Sequence, residues 1–130
     1  MNTEANNKSI IDWFDIPVVN LERAREFYET IFATELQIMR FPNGLEIALF
    51  PSSGNSVSGA LACHNDEYIP SSQGTLIYLN GDPDLQLVLD RIEGAGGKIL
   101  LPKSLISEHW EYMALFLDSE GNRIALHSKK

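Results

Sequence analysis

The chain has 130 residues, of which 44% are hydrophobic and 22% charged, a size and balance that are typical of one folded domain and argue against disorder. Its single cysteine, Cys63, excludes both an internal disulfide and a zinc site built from several cysteines. The net charge of -8 argues against nucleic acid and anionic membranes as partners, because like charges repel.

The first nine residues are polar and rich in Asn, and they lack the apolar stretch of a secretory signal. We therefore expect residues 1–9 to form a flexible N-terminus and the protein to be cytoplasmic. No apolar run in the sequence reaches the roughly 20 residues that a membrane helix needs.

The first half of the remaining chain predicts the element order β-α-β-β-β. Residues 10–18 alternate as a strand does, and Asn20 can cap the helix that follows. Apolar residues then recur at helical spacing: Leu21, Ala24, Phe27, Tyr28 and Ile31. Residues 35–41 and 45–50 predict a hairpin, and residues 57–63 predict a fourth strand.

A polar connector, residues 64–73, leads into a second half with the same order. Residues 75–80 predict a strand, and Asp82 followed by Pro83 predicts the start of a helix. This helix also carries an apolar stripe: Leu85, Val88, Leu89 and Ile92. Three glycines end it, and three strands complete the half: residues 98–101 (with a restart past Pro102 left open), 112–117 and 123–128.

The repeated unit predicts an α+β fold made of two tandem βαβββ modules. The modules span about residues 10–63 and 74–128 within one domain, residues 10–130. In each sheet, the helix would cover one face and leave the other face uncovered. Two such sheets can form a curved mixed sheet around a concave cavity, walled by the uncovered faces. Eight short strands could instead form an ordinary sandwich, but the helix that recurs in each half argues against it.

Three motifs in this order resemble those of the vicinal oxygen chelate superfamily, which includes glyoxalases, bleomycin resistance proteins and extradiol dioxygenases. They are a strand leading into a helix, a Gly-Gly segment before a strand, and a closing hairpin: residues 16–32, 95–99 and 116–124. The hairpin reads Asp-Ser-Glu-Gly-Asn-Arg-Ile from residue 118, where the family usually has Asp-Pro-x-Gly-Asn-x-Ile. The resemblance implies a glyoxalase-like fold, a small-molecule ligand and a homodimer in which modules pair across chains.

The resemblance also implies where a catalytic metal would bind. Catalytic members of the family hold a divalent ion such as Zn, Ni, Mn or Fe with His, Glu or Gln from the first strand of each module and from the last strand. The corresponding positions here carry Trp13, Leu76 (or Ile77, by a different count) and Ala125. Indole, aliphatic and methyl groups do not bind metal ions, so we expect a protein without a metal cofactor.

An alternative is that the metal ligands stand at neighbouring positions. The protein would then be a metal-dependent lyase or isomerase resembling lactoylglutathione lyase, or a dioxygenase. Asp15 lies two residues from Trp13, and His127 lies two residues from Ala125, so each shares a strand face with the position that it would replace. Each also has an ordinary interpretation, Asp15 as a hydrogen-bonded carboxylate and His127 as a strand-end histidine near solvent. An enzyme that uses either residue as an acid or base without metal is also conceivable, and the sequence assigns no catalytic residue.

The favoured hypothesis is therefore a glyoxalase- or bleomycin-resistance-like protein that binds a small molecule without a catalytic metal. The predicted pocket residues are Trp13, Asp15, Leu76, Tyr78, Tyr112, Ala125 and His127. Aromatic rings in this set would supply contact area, and Asp15 and His127 would orient a polar ligand by hydrogen bonds. Trp110 can share a strand face with Tyr112, at a pocket rim or within a packed hairpin. A purely structural protein is the third possibility.

Overall fold

A computed structural model describes residues 9–54, 57–65 and 67–130 of the protein, so the predicted flexible segment, apart from Ser9, lies outside the described residues. The described chain follows the order βαβββ-βαβββ. Its elements are β1 (Trp13–Pro17), α1 (Leu21–Phe32), β2 (Gln37–Arg40), β3 (Glu46–Leu49), β4 (Ser58–Cys63), β5 (Tyr78–Asn80), α2 (Leu85–Ala95), β6 (Lys98–Ser107), β7 (Glu111–Leu117) and β8 (Arg123–Ser128). The predicted α+β fold with two tandem modules is confirmed.

Each module forms its own four-stranded mixed sheet. The strand orders are β1-β4-β3-β2 in the first sheet and β5-β8-β7-β6 in the second. In each sheet the first strand of the module runs parallel to the last, and the other pairs are antiparallel. Among the described residues the two sheets stay separate and do not close into one. Neither helix within the described ranges is long and apolar enough to cross a membrane.

The first helix begins and ends where the sequence predicts. The side chain of Asn20 caps α1 by accepting a hydrogen bond from the amide of Arg23, and Ala33 ends the helix in a left-handed conformation. The predicted apolar stripe is the buried face of α1: Leu21, Ala24, Phe27, Tyr28 and Ile31. This face packs on the sheet below it, mainly on β3 and β4.

The second helix begins two residues later than a cap at Asp82 would place it, so that prediction is wrong. Asp84 is the N-cap and accepts a hydrogen bond from the amide of Gln86. Asp82 instead accepts a hydrogen bond from the amide of Lys129, after β8. The carboxylate of Asp82 is therefore engaged by the end of the chain, a long-range contact that local sequence does not reveal.

One apolar core spans both modules. It joins the buried faces of the two helices to the sheet faces that they cover. The two helices pack against each other, and the ring centroids of Phe27 in α1 and Phe116 in β7 lie 6.0 Å apart. Gly97 is needed at this junction because a Cβ there would lie 2.7 Å from both the carbonyl oxygen of Leu117 and the ring of Phe27. The opposite face of each sheet lies outside this core.

A buried hydrogen-bonded turn fastens the second module to the first. The hydroxyl of Tyr28 in α1 donates to Asp118 at 2.7 Å. Burial and the nearby carboxylate of Asp118 raise the pKa of Tyr28 well above its usual range, so the hydroxyl keeps its proton. Asp118 also accepts from the amides of Glu120 and Asn122, at 2.9 Å each. The side chain of Asn122 donates to the carbonyl of Pro17 at 2.8 Å, so the turn also contacts β1.

Glu120, in the same turn, forms a second set of contacts between the two modules. Its carboxylate accepts hydrogen bonds from the amides of Val19 and Asn20 at 3.1 and 3.0 Å. The guanidinium of Arg23 donates to both carboxylate oxygens, at 2.7 and 3.0 Å. Burial opposes ionisation of Glu120, but these donors outweigh it and lower the pKa of the carboxyl. Glu120 is therefore ionised at neutral pH and holds the start of α1 against the closing hairpin.

Candidate functional site

The second sheet carries an open groove with a volume of about 680 Å³. Residues from β5, the end of β6, the turn between β6 and β7, and the end of β8 line it: Tyr78, Leu79, Asn80, Asp82, Ile106, Trp110, His127 and Lys129. Its volume falls within the range of about 300 to 1,000 Å³ that is usual for small-molecule pockets. The groove is therefore large enough for a compound of several rings.

Two aromatic side chains are exposed at this groove. Tyr78 is 51% exposed and Trp110 is 70% exposed, so both rings are available to contact a bound molecule. Tyr78 pairs in register with Ala125 of β8, so the neighbouring strand adds only a methyl group beside it. The tyrosine hydroxyl lies 4.0 Å from the sulfur of Met113 and has no stronger partner among the described residues.

His127 is held in one orientation at the groove. Its Nε2 lies 2.9 Å from the carbonyl oxygen of Trp110 and 3.4 Å from a carboxylate oxygen of Glu111. Because a carbonyl oxygen only accepts, Nε2 must carry the hydrogen in this contact. In the neutral ring Nδ1 is then an acceptor, and within the described chain no side chain donates to it. The imidazole can therefore accept a hydrogen bond from a ligand.

Trp110 and Tyr112 lie on different sides of the second sheet. Glu111 between them has a φ of 67°, a left-handed conformation that interrupts the alternation of a regular strand. Trp110 lines the groove, whereas Tyr112 packs against the core with the ammonium of Lys103 4.6 Å from its ring centroid. The structure therefore separates Tyr112 from the other predicted pocket residues, and the face that it was predicted to share with Trp110 does not form.

On the corresponding face of the first sheet, Tyr68 of the connector between the modules contacts β1, β3 and β4. Asp15 accepts a hydrogen bond from the indole of Trp13 at 2.9 Å and another from the hydroxyl of Tyr68 at 3.2 Å. Tyr68 also packs against a small cluster on this face: Ile47, Ala60 and Ala62. Burial and the carboxylate of Asp15 raise the pKa of Tyr68. Each carboxylate oxygen of Asp15 therefore has a donor within the protein, in agreement with its interpretation as a hydrogen-bonded carboxylate, although Tyr68 was not predicted as a partner.

The predicted pocket residues fall into separate places. Tyr78 and His127 line the groove of the second sheet. Asp15 lines a smaller pocket of about 210 Å³ at the seam between the modules, together with Ile77. Leu76 is half-buried just before β5. The structure therefore brings together Tyr78 of β5 and His127 of β8. Ala125, also on β8, is buried. Trp13 and Asp15 lie on the other sheet.

Five groove residues were not predicted as pocket residues: Leu79, Asn80, Asp82, Ile106 and Lys129. Asn80 lies two residues beyond Tyr78 and so shares its strand face. Asp82 was interpreted as a helix cap. Ile106 and Lys129 reach the groove only because β6 extends past Pro102 and β8 ends beside β5. Neither of these last two positions follows from local pattern.

The residues at the predicted metal-ligand positions do not fit a metal ion. Trp13 donates its indole N–H to Asp15, Ala125 is fully buried, and Leu76 has no donor atom to offer. Within residues 9–54, 57–65 and 67–130, no three His, Cys, Asp or Glu side chains lie close enough together to hold a metal ion. Asp82 and His127 line the groove, and Glu111 lies beside His127, but these side chains do not come close enough together to form the three-ligand set that a catalytic zinc site uses.

Comparison with known proteins identifies the fold. Residues 10–126 match the family model of the Glyoxalase/Bleomycin resistance protein/Dioxygenase superfamily. None of the curated protein sequences matches this chain.

Several solved structures are similar. TnmS3, an antibiotic binding protein from Streptomyces sp. CB03234, is 22% identical over 95% of this chain and 98% of its own, with a TM-score of 0.66. A glyoxalase/bleomycin resistance protein from the same organism is 24% identical over 91% and 99%, with a TM-score of 0.64. A glyoxalase I variant from Zea mays is 18% identical over 91% of this chain and 46% of its own, with a TM-score of 0.68. At these identities the likeness shows the fold alone.

Proposed function

Because the chain belongs to the Glyoxalase/Bleomycin resistance protein/Dioxygenase superfamily, we propose that it binds a small organic molecule in the groove of its second sheet, without a catalytic metal. One observation carries this proposal: Tyr78 and Trp110 expose their rings at a groove of about 680 Å³ that also holds the fixed imidazole of His127. Aromatic contact area with a few oriented polar groups is the usual composition of a ligand site.

The groove favours a planar molecule with at least one hydrogen-bond donor. Flat rings can stack on Trp110 or Tyr78, and a hydroxyl or N–H group can donate to Nδ1 of His127. The antibiotic-binding relative TnmS3 offers a precedent for such binding on this fold. Binding alone sequesters a compound and needs no chemical step.

The absence of a metal is part of the proposal and rests on the donor set. The positions that correspond to the family's metal ligands carry Trp13, Leu76 and Ala125. The carboxylate of Asp15 accepts hydrogen bonds from Trp13 and Tyr68. A metal-dependent lyase or isomerase would need a third donor to join Glu111 and His127. Metal analysis of the purified protein tests this part, and a stoichiometric, tightly held divalent ion would contradict it.

The two tryptophans allow a matched test of the groove. The Trp13→Phe variant keeps Trp110 as its one tryptophan, and the Trp110→Phe variant keeps Trp13. Titrated with a panel of planar aromatic compounds, the Trp13→Phe variant should show saturable fluorescence quenching by at least one compound, and the Trp110→Phe variant should not. Equal quenching in both variants, or none with any compound, would count against binding in the groove.

A further inference from the structure

A second pocket, with a volume of about 360 Å³, lies at the seam between the modules next to the groove, with which it shares Leu79 and Asn80. Phe32 and Thr34 border it at the C-terminal end of α1, Phe14 and Phe50 border it from the first sheet, and Leu79 comes from β5. We infer that this aromatic pocket, as we name it, is a second binding site for a small uncharged molecule built on a single ring. This inference does not depend on the proposed function of the groove.

The wall of the aromatic pocket is held rigid by a chain of ring contacts. The centroids of Phe14 and Phe50 lie 5.8 Å apart, and those of Phe50 and Tyr28 lie 5.5 Å apart in an edge-to-face arrangement. Tyr28 stacks on Phe32 at 6.5 Å, and its hydroxyl is bound to buried Asp118. These rings are therefore positioned by the core, and a ligand need not order them.

The three phenylalanines that border the aromatic pocket are only partly buried, although they belong to the packing around the core. Gly59 makes room for one of them, because a Cβ at that position would lie 2.4 Å from the ring of Phe14. The pocket thus presents apolar ring surface that the described parts of the protein do not cover. Covering that surface with an apolar molecule is favourable.

The chemistry of the lining limits what can bind. None of the described residues that line the aromatic pocket is charged, so an ion that entered it would lose its hydration without gaining a partner. Thr34, Ser58 and Asn80 supply polar atoms at its edge, enough to bind one hydroxyl or carbonyl group. The volume is near the lower end of the range for ligand pockets. A phenol-like molecule fits all three conditions.

Phenol and benzoate form a matched pair of probes, since they share a ring and differ in charge at neutral pH. We expect phenol to produce saturable shifts in amide NMR spectra of the full chain at residues that border the aromatic pocket, and benzoate to bind at least tenfold more weakly. The Thr34→Phe variant fills the pocket and should weaken phenol binding at least tenfold. The Thr30→Phe variant, which makes the same change at an exposed position of α1, should bind phenol as the unmodified protein does.

The two sites can be told apart. Trp110→Phe alters the groove and should leave the phenol shifts at the aromatic pocket unchanged, so failure of either site does not conceal the other. If Thr34→Phe fails to fold, Val57→Trp at the edge of the same pocket replaces it. Absence of saturable shifts, shifts confined to the residues around Trp110, equal binding of benzoate, or unchanged affinity in the folded filling variant would overturn the inference.

Discussion

The imidazole of His127 is oriented by its neighbours before any ligand arrives. The carbonyl oxygen of Trp110 accepts a hydrogen bond from Nε2, and the carboxylate of Glu111 lies 3.4 Å from the same nitrogen. Orientation of this kind lowers the entropic cost of binding, because the ring need not be ordered by the ligand.

Replacing His127 should therefore weaken ligand binding. For a compound that quenches Trp110, we predict that His127→Ala lowers the affinity about tenfold, since one hydrogen bond contributes about 0.5 to 1.5 kcal/mol and some ring contact is also lost. Fluorescence titration in the Trp13→Phe background measures the change. His64→Ala is the control, because His64 binds the carbonyl of Asn43 in the first module. Equal affinity in all three proteins would show that His127 makes no contact with the ligand.

The hydroxyl of Tyr28 is the clearest single-atom test of the core. Removing it in Tyr28→Phe leaves buried Asp118 without one of its donors, so we predict a loss of about 1 to 3 kcal/mol in the free energy of unfolding. Urea denaturation measures this loss. Tyr78→Phe removes an exposed hydroxyl and should change the stability by less than about 0.5 kcal/mol. Similar losses in the two variants would contradict the role given to Tyr28.

At the scale of elements, the closing turn and the start of α1 act as one unit. Outside its own turn, Glu120 accepts hydrogen bonds from Arg23, Asn20 and Val19, and the side chain of Glu120 is 0% exposed. The two modules are thus joined by the apolar core and by the ion pair between Arg23 and Glu120, in which the carboxylate is buried. We therefore expect the stability of the fold to depend on the charge of Glu120.

The pH dependence of stability should report this contact. Because the pKa of Glu120 is lowered on folding, its contribution is fully present above the unfolded pKa, about 4.3 for Glu, and is lost as pH falls through the lower folded pKa. We predict that Glu120→Gln is about 1 to 3 kcal/mol less stable at pH 7, and that the difference shrinks at acid pH. Glu26→Gln, at an exposed position of α1, should match the unmodified protein at every pH. A constant difference across pH would exclude this mechanism.

The helices could be predicted closely from the sequence, whereas the site could be predicted only in part. Helical periodicity and capping are local, so the buried face of α1 and its cap at Asn20 follow directly from the residues. The separation of Trp110 from Tyr112 depends on one left-handed residue, Glu111. The contact between Asp15 and Tyr68 joins positions 53 residues apart. A backbone irregularity and a long-range fold-back leave no periodic signal in the sequence.

For the whole molecule, one exposed apolar surface of the second module lies along an edge strand. β6 is at the edge of its sheet, and Leu100 and Leu105 on it are 42% and 58% exposed. Exposed apolar side chains on an edge strand favour contact with another chain. This surface agrees with the homodimer that the family resemblance implies, and we propose it as the contact.

Light scattering tests the dimer. We predict a particle of twice the chain mass of 14.6 kDa at micromolar concentration, because burial of the β6 side chains stabilises association. Leu105→Asp should shift the protein to monomer, whereas Leu87→Asp, a matched change at an exposed position of α2, should leave it dimeric. A monomer in the unmodified protein would refute the proposed assembly.

The whole account depends on a groove that binds an organic molecule through aromatic and hydrogen-bonding contacts alone. The most direct measurement is a fluorescence titration of the Trp13→Phe variant after chelator treatment, repeated with Zn, Ni or Mn restored. We predict saturable quenching of Trp110 in the metal-free protein, with the same dissociation constant when each ion is present. Quenching that occurs only after an ion is added would contradict the account.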